Sequence, residues 1–120
     1  MKLILAMIRI AKMTETKQAL SDAGLPSFTA MPVVGRGKGR GDFGKAESKD
    51  PDLKDLIQES RLKSKRMITL VVSDEKKELA IDTILKANYT GQSGDGKIFV
   101  IPASDSIRVR TGENGDITLD

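Results

Sequence analysis

Residues 89–100 read Y-T-G-Q-S-G-D-G-K-I-F-V and connect a helix-like segment to a strand-like segment. The three glycines permit positive φ angles, so that neighbouring N–H groups turn toward one point, and Lys97 adds a positive charge at the exit. This composition is typical of a turn that binds phosphate. It differs from the P-loop of nucleotide hydrolases, because Ile98 replaces the metal-binding Ser or Thr and because the helix precedes the turn. A glycine-rich connection without a ligand remains the alternative.

The length and composition favour one compact domain that is not a hydrolytic enzyme. The chain has 120 residues and contains neither cysteine nor histidine. Disulfides, thiolate nucleophiles and Cys-ligated metals are therefore excluded, and the usual general base is missing. The absence of cysteine makes a reducing cytoplasm the simplest location. The apolar run from Met1 to Ile10 contains two cations and is too short to span a bilayer, so we expect a buried strand there.

The positive charge is concentrated between residues 35 and 66, where ten Lys or Arg stand against six Asp or Glu. This segment begins G-R-G-K-G-R-G, in which glycine alternates with a cation and nothing apolar is available for packing. We predict an exposed, mobile loop over residues 35–62 that contacts an anion or a protein surface. Its second half, Pro51 to Arg61, has helical apolar spacing and is expected to form a short amphipathic turn; a solvated insert is the alternative.

Hydrophobic patterning outside this loop predicts four strands and two helices. The predicted strands are Leu3–Arg9, Ser27–Val34, Met67–Val72 and Lys97–Ile101; the helices are Thr14–Ala23 and a segment from the Ser73 N-cap to about Asn88, with Ala80, Ile81, Ile84 and Leu85 buried. A short extended tail is expected at Ser106–Arg110. The order βαββαβ predicts an α+β, ferredoxin-like sandwich formed by a single domain over residues 1–120.

Three segments together resemble a known family. The sequence T-G-Q-S-G-D-G-K-I-F-V (90–100), the sequence I-R-V-R-T-G-E (107–113), and G-R-G-K-G-R-G before a long loop are similar to the PII signal-transduction family, and the resemblance covers almost the whole chain. It implies a homotrimer that holds ATP or ADP between subunits and senses 2-oxoglutarate beside the nucleotide. The loop over residues 35–62 then corresponds to the T-loop, which changes shape to engage target proteins.

The resemblance also implies roles for particular residues. The implied ATP contacts are Thr29, Gly37, Lys38, Thr69, Val71, Gly94, Asp95, Gly96, Lys97, Arg108, Val109 and Arg110. The implied 2-oxoglutarate contacts are Lys65, Gly39 and Gly41. Many members have a glutamine at position 39 that helps Mg²⁺ hold the oxoacid. Gly39 cannot do so, and we therefore expect a weaker magnesium site built from phosphates, backbone and water.

Two of these assignments have a physical reason of their own and an alternative. Arg108 and Arg110 are two residues apart, so in an extended segment both project from one face, as bidentate phosphate binding favours. The alternative is a solvated pair of surface arginines. Asp95 stands between two glycines, and Asp also forms turns without any ligand.

Features of the T-loop indicate the branch of the family that is associated with nitrogenase. Arg36, the length of the loop, and the absence of a T-loop tyrosine all agree with this branch, because the only tyrosine is Tyr89. Nitrogenase, an ammonium channel and glutamine synthetase are the expected kinds of target, and a membrane association is expected only through the channel.

Two other classes of function are less consistent with the sequence. A nucleic-acid-binding module would use the basic loop, but three Phe, one Tyr and no Trp provide few stacking platforms, and the glycine turn would have no role. A small ATPase or phosphotransferase would have a phosphate site but no evident base apart from carboxylates. We therefore predict a regulator that is not an enzyme and does not bind nucleic acid.

Overall fold

A computed structural model describes residues 1–37 and 62–119, which form the predicted α+β sandwich in the order βαββαβ. The strands are β1 (Lys2–Ile8), β2 (Thr29–Gly35), β3 (Lys63–Val72) and β4 (Lys97–Pro102), and the helices are α1 (Met13–Asp22) and α2 (Lys77–Asn88). The sheet order is β2-β3-β1-β4, and every neighbouring pair is antiparallel. The predicted T-loop lies mostly in residues 38–61, outside the described residues, as does its amphipathic turn.

One face of the sheet carries the core. Side chains alternate along β1 and β3, so that Ile4 and Ile8 are buried on the same side as Ile68 and Leu70. The helices cover this face with Leu20 from α1 and with Ala80 and Ile84 from α2. The other buried apolar residues in the part of the chain that the structure describes are Ala6, Leu25 and Val72. The two-residue alternation in the strands and the helical spacing in α2 thus meet in a single core.

The opposite face of the sheet is apolar, and no element in residues 1–37 or 62–119 forms a layer over it. Register places Leu5 of β1 between Thr69 of β3 and Phe99 of β4, all facing away from the helices. We call this surface the open face; its apolar members are Leu3, Leu5, Met7, Met31, Val33, Met67, Val71, Phe99 and Ile101. Phe99 remains 47% exposed. A contiguous apolar surface of this kind marks an interaction site.

The structure corrects several details of the sequence prediction. Leu85 is 50% exposed and does not belong to the buried stripe of α2. A 3-10 turn at Asp74–Lys76 precedes α2, and the Ser73 side chain makes no capping hydrogen bond. Strand β3 begins at Lys63, four residues earlier than its apolar run, because pairing with β2 continues as far as Gly35.

A buried polar contact joins the two helices beside the end of α2. The Asn88 amide Nδ2 donates to Thr16 Oγ1 at 2.9 Å and to the Ile84 carbonyl at 2.9 Å, and both Asn88 and Thr16 are buried. The Tyr89 N–H donates to the Leu85 carbonyl and ends the helix. These contacts fix the point at which the chain enters the glycine-rich turn.

No helix in residues 1–37 or 62–119 is long and apolar enough to cross a membrane.

Candidate phosphate-binding site

The glycine-rich turn, residues 89–96, lies at the end of the sheet where β1 finishes and β4 begins. Gly91, Gly94 and Gly96 have φ angles of +81°, +96° and +111°, as the sequence predicted for a turn of this kind. Gly96 also passes very close to β1: a Cβ atom at this position would lie 1.8 Å from the Met7 carbonyl oxygen. Only glycine fits here.

The Asp95 carboxylate organises the first half of the turn. Its Oδ2 accepts hydrogen bonds from the Thr90 N–H at 2.8 Å and the Gly91 N–H at 2.9 Å, and its Oδ1 accepts from the Thr90 hydroxyl. Hydrogen bonds from Thr90, together with those from Arg9 and Gly91, hold the pKa of Asp95 well below its usual range. The carboxylate thus contacts the turn itself, which agrees with the alternative role as a turn former.

Two cations from neighbouring strands hold the second half of the turn. Arg9, just after β1, pairs with Asp95 and donates from Nη2 to the Ser93 carbonyl at 2.9 Å. Lys65, near the start of β3, donates from Nζ to the Gly94 carbonyl at 2.6 Å. Burial lowers the pKa of Lys65, and the nearby charges of Arg9 and Lys63 lower it further.

Sequence reasoning missed Arg9, which was assigned only as the last residue of a strand. No motif surrounds it, and it lies 86 positions from Asp95 along the chain. Only the sheet topology could have found it, because β1 and β4 pair so that Met7 lies opposite Lys97. That register brings the residues after β1 next to the residues before β4.

Part of the implied nucleotide pocket lies together on the open face. Thr29 is paired directly with Thr69, and Val71 follows two positions later on the same face. Lys65 shares this face at the end nearest the turn, opposite Val33. Gly37 is exposed just beyond β2. Lys38, Gly39 and Gly41 lie outside the described residues.

The expectation of an extended tail is wrong beyond Ile107. Ile107 pairs with Asn114, and between them the chain turns, with the Gly112 N–H donating to the Arg108 carbonyl at 2.8 Å. The Arg108 guanidinium binds Glu113 Oε1 at 2.8 Å and the Ile117 carbonyl at 3.1 Å. Arg108 and Arg110 therefore do not project as a pair from one strand face. Val109 and Arg110 lie on the exposed turn, where Val109 is 98% exposed.

The tail and the glycine-rich turn lie at opposite ends of the sheet. β4 starts with Lys97 opposite Met7 and ends with Pro102 opposite Lys2, a distance of roughly 17 Å for a six-residue strand. The Ala103 N–H then donates to the Met1 carbonyl, and Asp116 lines the same small cavity as Val72. The structure therefore brings Gly94, Gly96, Lys97 and Lys65 together, but it does not bring the tail arginines to them within one chain.

The chemistry of the turn suits a phosphate and not a bare metal ion. The backbone N–H groups of its positive-φ glycines, with Lys97 and Lys65 beside the turn, are donors for an anion. In residues 1–37 and 62–119, no cluster of three or more acidic side chains could bind a metal ion. A magnesium ion here would depend on ligand phosphates and water.

Comparison with known proteins gives a consistent result over the full chain. The model of the family "Nitrogen regulatory protein P-II" matches residues 1–113. The "Nitrogen fixation nifHD region GlnB-like protein 2" of Methanothermobacter marburgensis is 42% identical over 99% of this chain and all of that protein, and the protein of the same name from Methanobacterium ivanovii is 45% identical over 97% of each. The "Nitrogen regulatory protein P-II 2" of Methanothermobacter thermautotrophicus is 38% identical over 96% of this chain and 94% of that protein.

These findings confirm the resemblance predicted from the turn, the tail and the loop base, including the branch associated with nitrogen fixation. The chain belongs to the nitrogen regulatory protein P-II family, whose members are regulatory signal-transduction proteins and not enzymes.

Proposed function

We propose that this protein binds ATP or ADP, responds to 2-oxoglutarate as a sensor of nitrogen status, and regulates a target protein of nitrogen fixation or assimilation through its T-loop. The observation that carries the proposal is the turn at residues 89–96, in which three positive-φ glycines precede Lys97 and Lys65 binds the Gly94 carbonyl. The names of the relatives favour a nitrogenase-related target, with an ammonium channel or glutamine synthetase as alternatives. A cytoplasmic location belongs to the same proposal.

A homotrimer is part of the proposal, because two features of the single chain are incomplete without a partner. Among the described residues, nothing forms a layer over the open face, and β4, which carries Phe99, is an edge strand. In addition, the turn and the tail arginines lie at opposite ends of the sheet within one subunit, so both reach one phosphate group only if they come from different subunits. A cyclic head-to-tail assembly meets both requirements.

The first prediction is that Lys97→Ala and Arg110→Ala each weaken ATP binding. Each change removes a charge-assisted hydrogen bond to phosphate, so we expect a loss of about 1–3 kcal/mol in binding free energy by titration calorimetry. The control is Lys76→Ala. Lys76 is exposed and follows β3 at the end of the strand that lies away from Lys65, so removing its charge should leave the ATP affinity unchanged. A wild-type protein that binds neither ATP nor ADP would disprove the nucleotide-binding proposal.

The T-loop is joined directly to the phosphate site at its C-terminal base. Gly35 pairs with Lys63 where the loop leaves the sheet, and Lys65, two residues further, binds the Gly94 carbonyl in the turn. A phosphate or carboxylate that competes for Lys65 would break this contact and shift the population of loop conformations. Because Gly39 supplies no side chain to magnesium, we expect the nucleotide to carry more of the signal than 2-oxoglutarate does.

The second prediction concerns this response of the loop. Amide hydrogen exchange over residues 36–62, measured without ligand and with ADP, ATP, or ATP plus 2-oxoglutarate, is expected to give different protection for ADP and ATP. We expect this difference because each ligand presents different charges to the base of the T-loop and so favours a different loop conformation. Identical protection in all four states would exclude a ligand-gated loop. A large additional effect of 2-oxoglutarate would show that the absence of a side chain at Gly39 has little consequence.

A further inference from the structure

We propose that Arg9 is a positioning residue of the phosphate site and that Asp95 is its internal counter-ion and not a phosphate ligand. The inference rests on the proposed nucleotide binding and adds a residue that the sequence pattern did not assign. Its basis is the set of contacts that Arg9 and Asp95 make with the turn at residues 89–96.

Both oxygens of Asp95 are already engaged inside the protein. Oδ2 accepts from the backbone of Thr90 and Gly91, and Oδ1 accepts from Arg9 and the Thr90 hydroxyl. The carboxylate thus occupies the anion position in the first half of the turn. Bound phosphates are left with the second half, from Gly94 to Lys97.

A carboxylate at this position would repel a polyphosphate unless its charge were balanced. Arg9 provides the balance, and its side chain is only 28% exposed, so the ion pair with Asp95 is partly shielded from solvent. The same guanidinium donates from Nη2 to the Ser93 carbonyl. This nitrogen also lies 3.3 Å from where a Cβ atom on Gly94 would be. Arg9 therefore sets both the charge and the shape of the phosphate-facing part of the turn. Its planar fork suits these two simultaneous contacts, whereas a lysine offers a single ammonium group.

The test compares Arg9→Ala, the double variant Arg9→Ala/Asp95→Asn, and the control Lys76→Ala, using calorimetry with ATP, ADP and adenosine. We expect Arg9→Ala to weaken ATP binding by roughly 10-fold to 100-fold, as for the loss of a charge-assisted contact, and adenosine binding to change little. The double variant should bind ATP more tightly than Arg9→Ala alone, because the uncompensated carboxylate is gone. Equal losses for ATP and adenosine, or a double variant weaker than the single one, would overturn the counter-ion role.

A second measurement does not depend on nucleotide. In the ligand-free protein, Arg9→Ala should raise the hydrogen-exchange rates of the Thr90 and Gly91 amides by roughly 10-fold or more, because the carboxylate that protects them loses its anchor. Lys76→Ala should leave both rates unchanged. If wild-type protein binds no nucleotide, the proposed function fails while this measurement still tests Arg9. Unchanged exchange rates in Arg9→Ala would overturn the positioning role itself.

Discussion

Gly96→Ala is expected to abolish nucleotide binding and to lower the free energy of unfolding by about 3 kcal/mol or more, because it combines steric overlap with backbone strain. The added Cβ would lie 1.8 Å from the Met7 carbonyl oxygen, which belongs to the central strand β1 and cannot move without disturbing the sheet. The φ angle of +111° is unfavourable for alanine as well. Chemical denaturation and ATP calorimetry on the same sample would measure both effects.

The matched control is Gly24→Ala, at the end of α1. Gly24 also has a positive φ, +80°, but no heavy atom lies within 4 Å of its Cβ position. Alanine at this position would therefore cause backbone strain without steric overlap. We expect the free energy of unfolding to fall by about 1 kcal/mol and the ATP affinity to stay unchanged. Equal destabilisation by the two substitutions would show that the close approach to Met7 has no importance.

The second large effect is expected from Phe99→Glu on the open face. In the proposed trimer this face would be buried between subunits, and an unpaired carboxylate in each subunit would cost about 3–5 kcal/mol. We therefore expect a folded monomer at micromolar concentration, measured by light scattering, and a loss of ATP binding along with the subunit contacts.

Leu79→Glu on α2 is the control for Phe99→Glu. Leu79 is 44% exposed in the single chain, close to the 47% of Phe99. A glutamate at either position should therefore change the stability of the isolated subunit by a similar amount. Leu79 lies on a helix and outside the open face, and its variant should remain a trimer. If both variants, or the wild type itself, had the same monomeric mass, the trimer proposal would be wrong.

Local sequence patterns predicted the fold well because the strongest of them lie in the core. The apolar runs that became β1 and β3, and the helical spacing at Ala80 and Ile84, all contain residues that are buried in the structure. The prediction for Leu85 was wrong because an apolar residue next to the buried stripe of a helix is itself buried only where the sheet lies beneath it. The sheet ends at β4, which is an edge strand.

The candidate site was only partly predictable for a different reason. The turn residues are contiguous in sequence, and their glycines by themselves indicate positive φ angles. Arg9 reaches Asp95 across the β1–β4 register, and the tail folds back through contacts between Arg108 and Glu113. Such contacts depend on the relative placement of segments, which local periodicity does not determine.

A mixed-subunit binding experiment tests most directly the central claim that nucleotide is held between subunits. Lys97→Ala and Arg110→Ala proteins would be unfolded together in equal amounts, refolded, and titrated with ATP. If each site takes Lys97 from one subunit and Arg110 from the next, about one site in four of the whole refolded mixture regains both residues, which is about one site in three in trimers that contain both variants. That fraction should bind ATP with wild-type affinity. Complete absence of high-affinity sites in mixed trimers would contradict the account, because it would mean that both residues of a site come from the same chain.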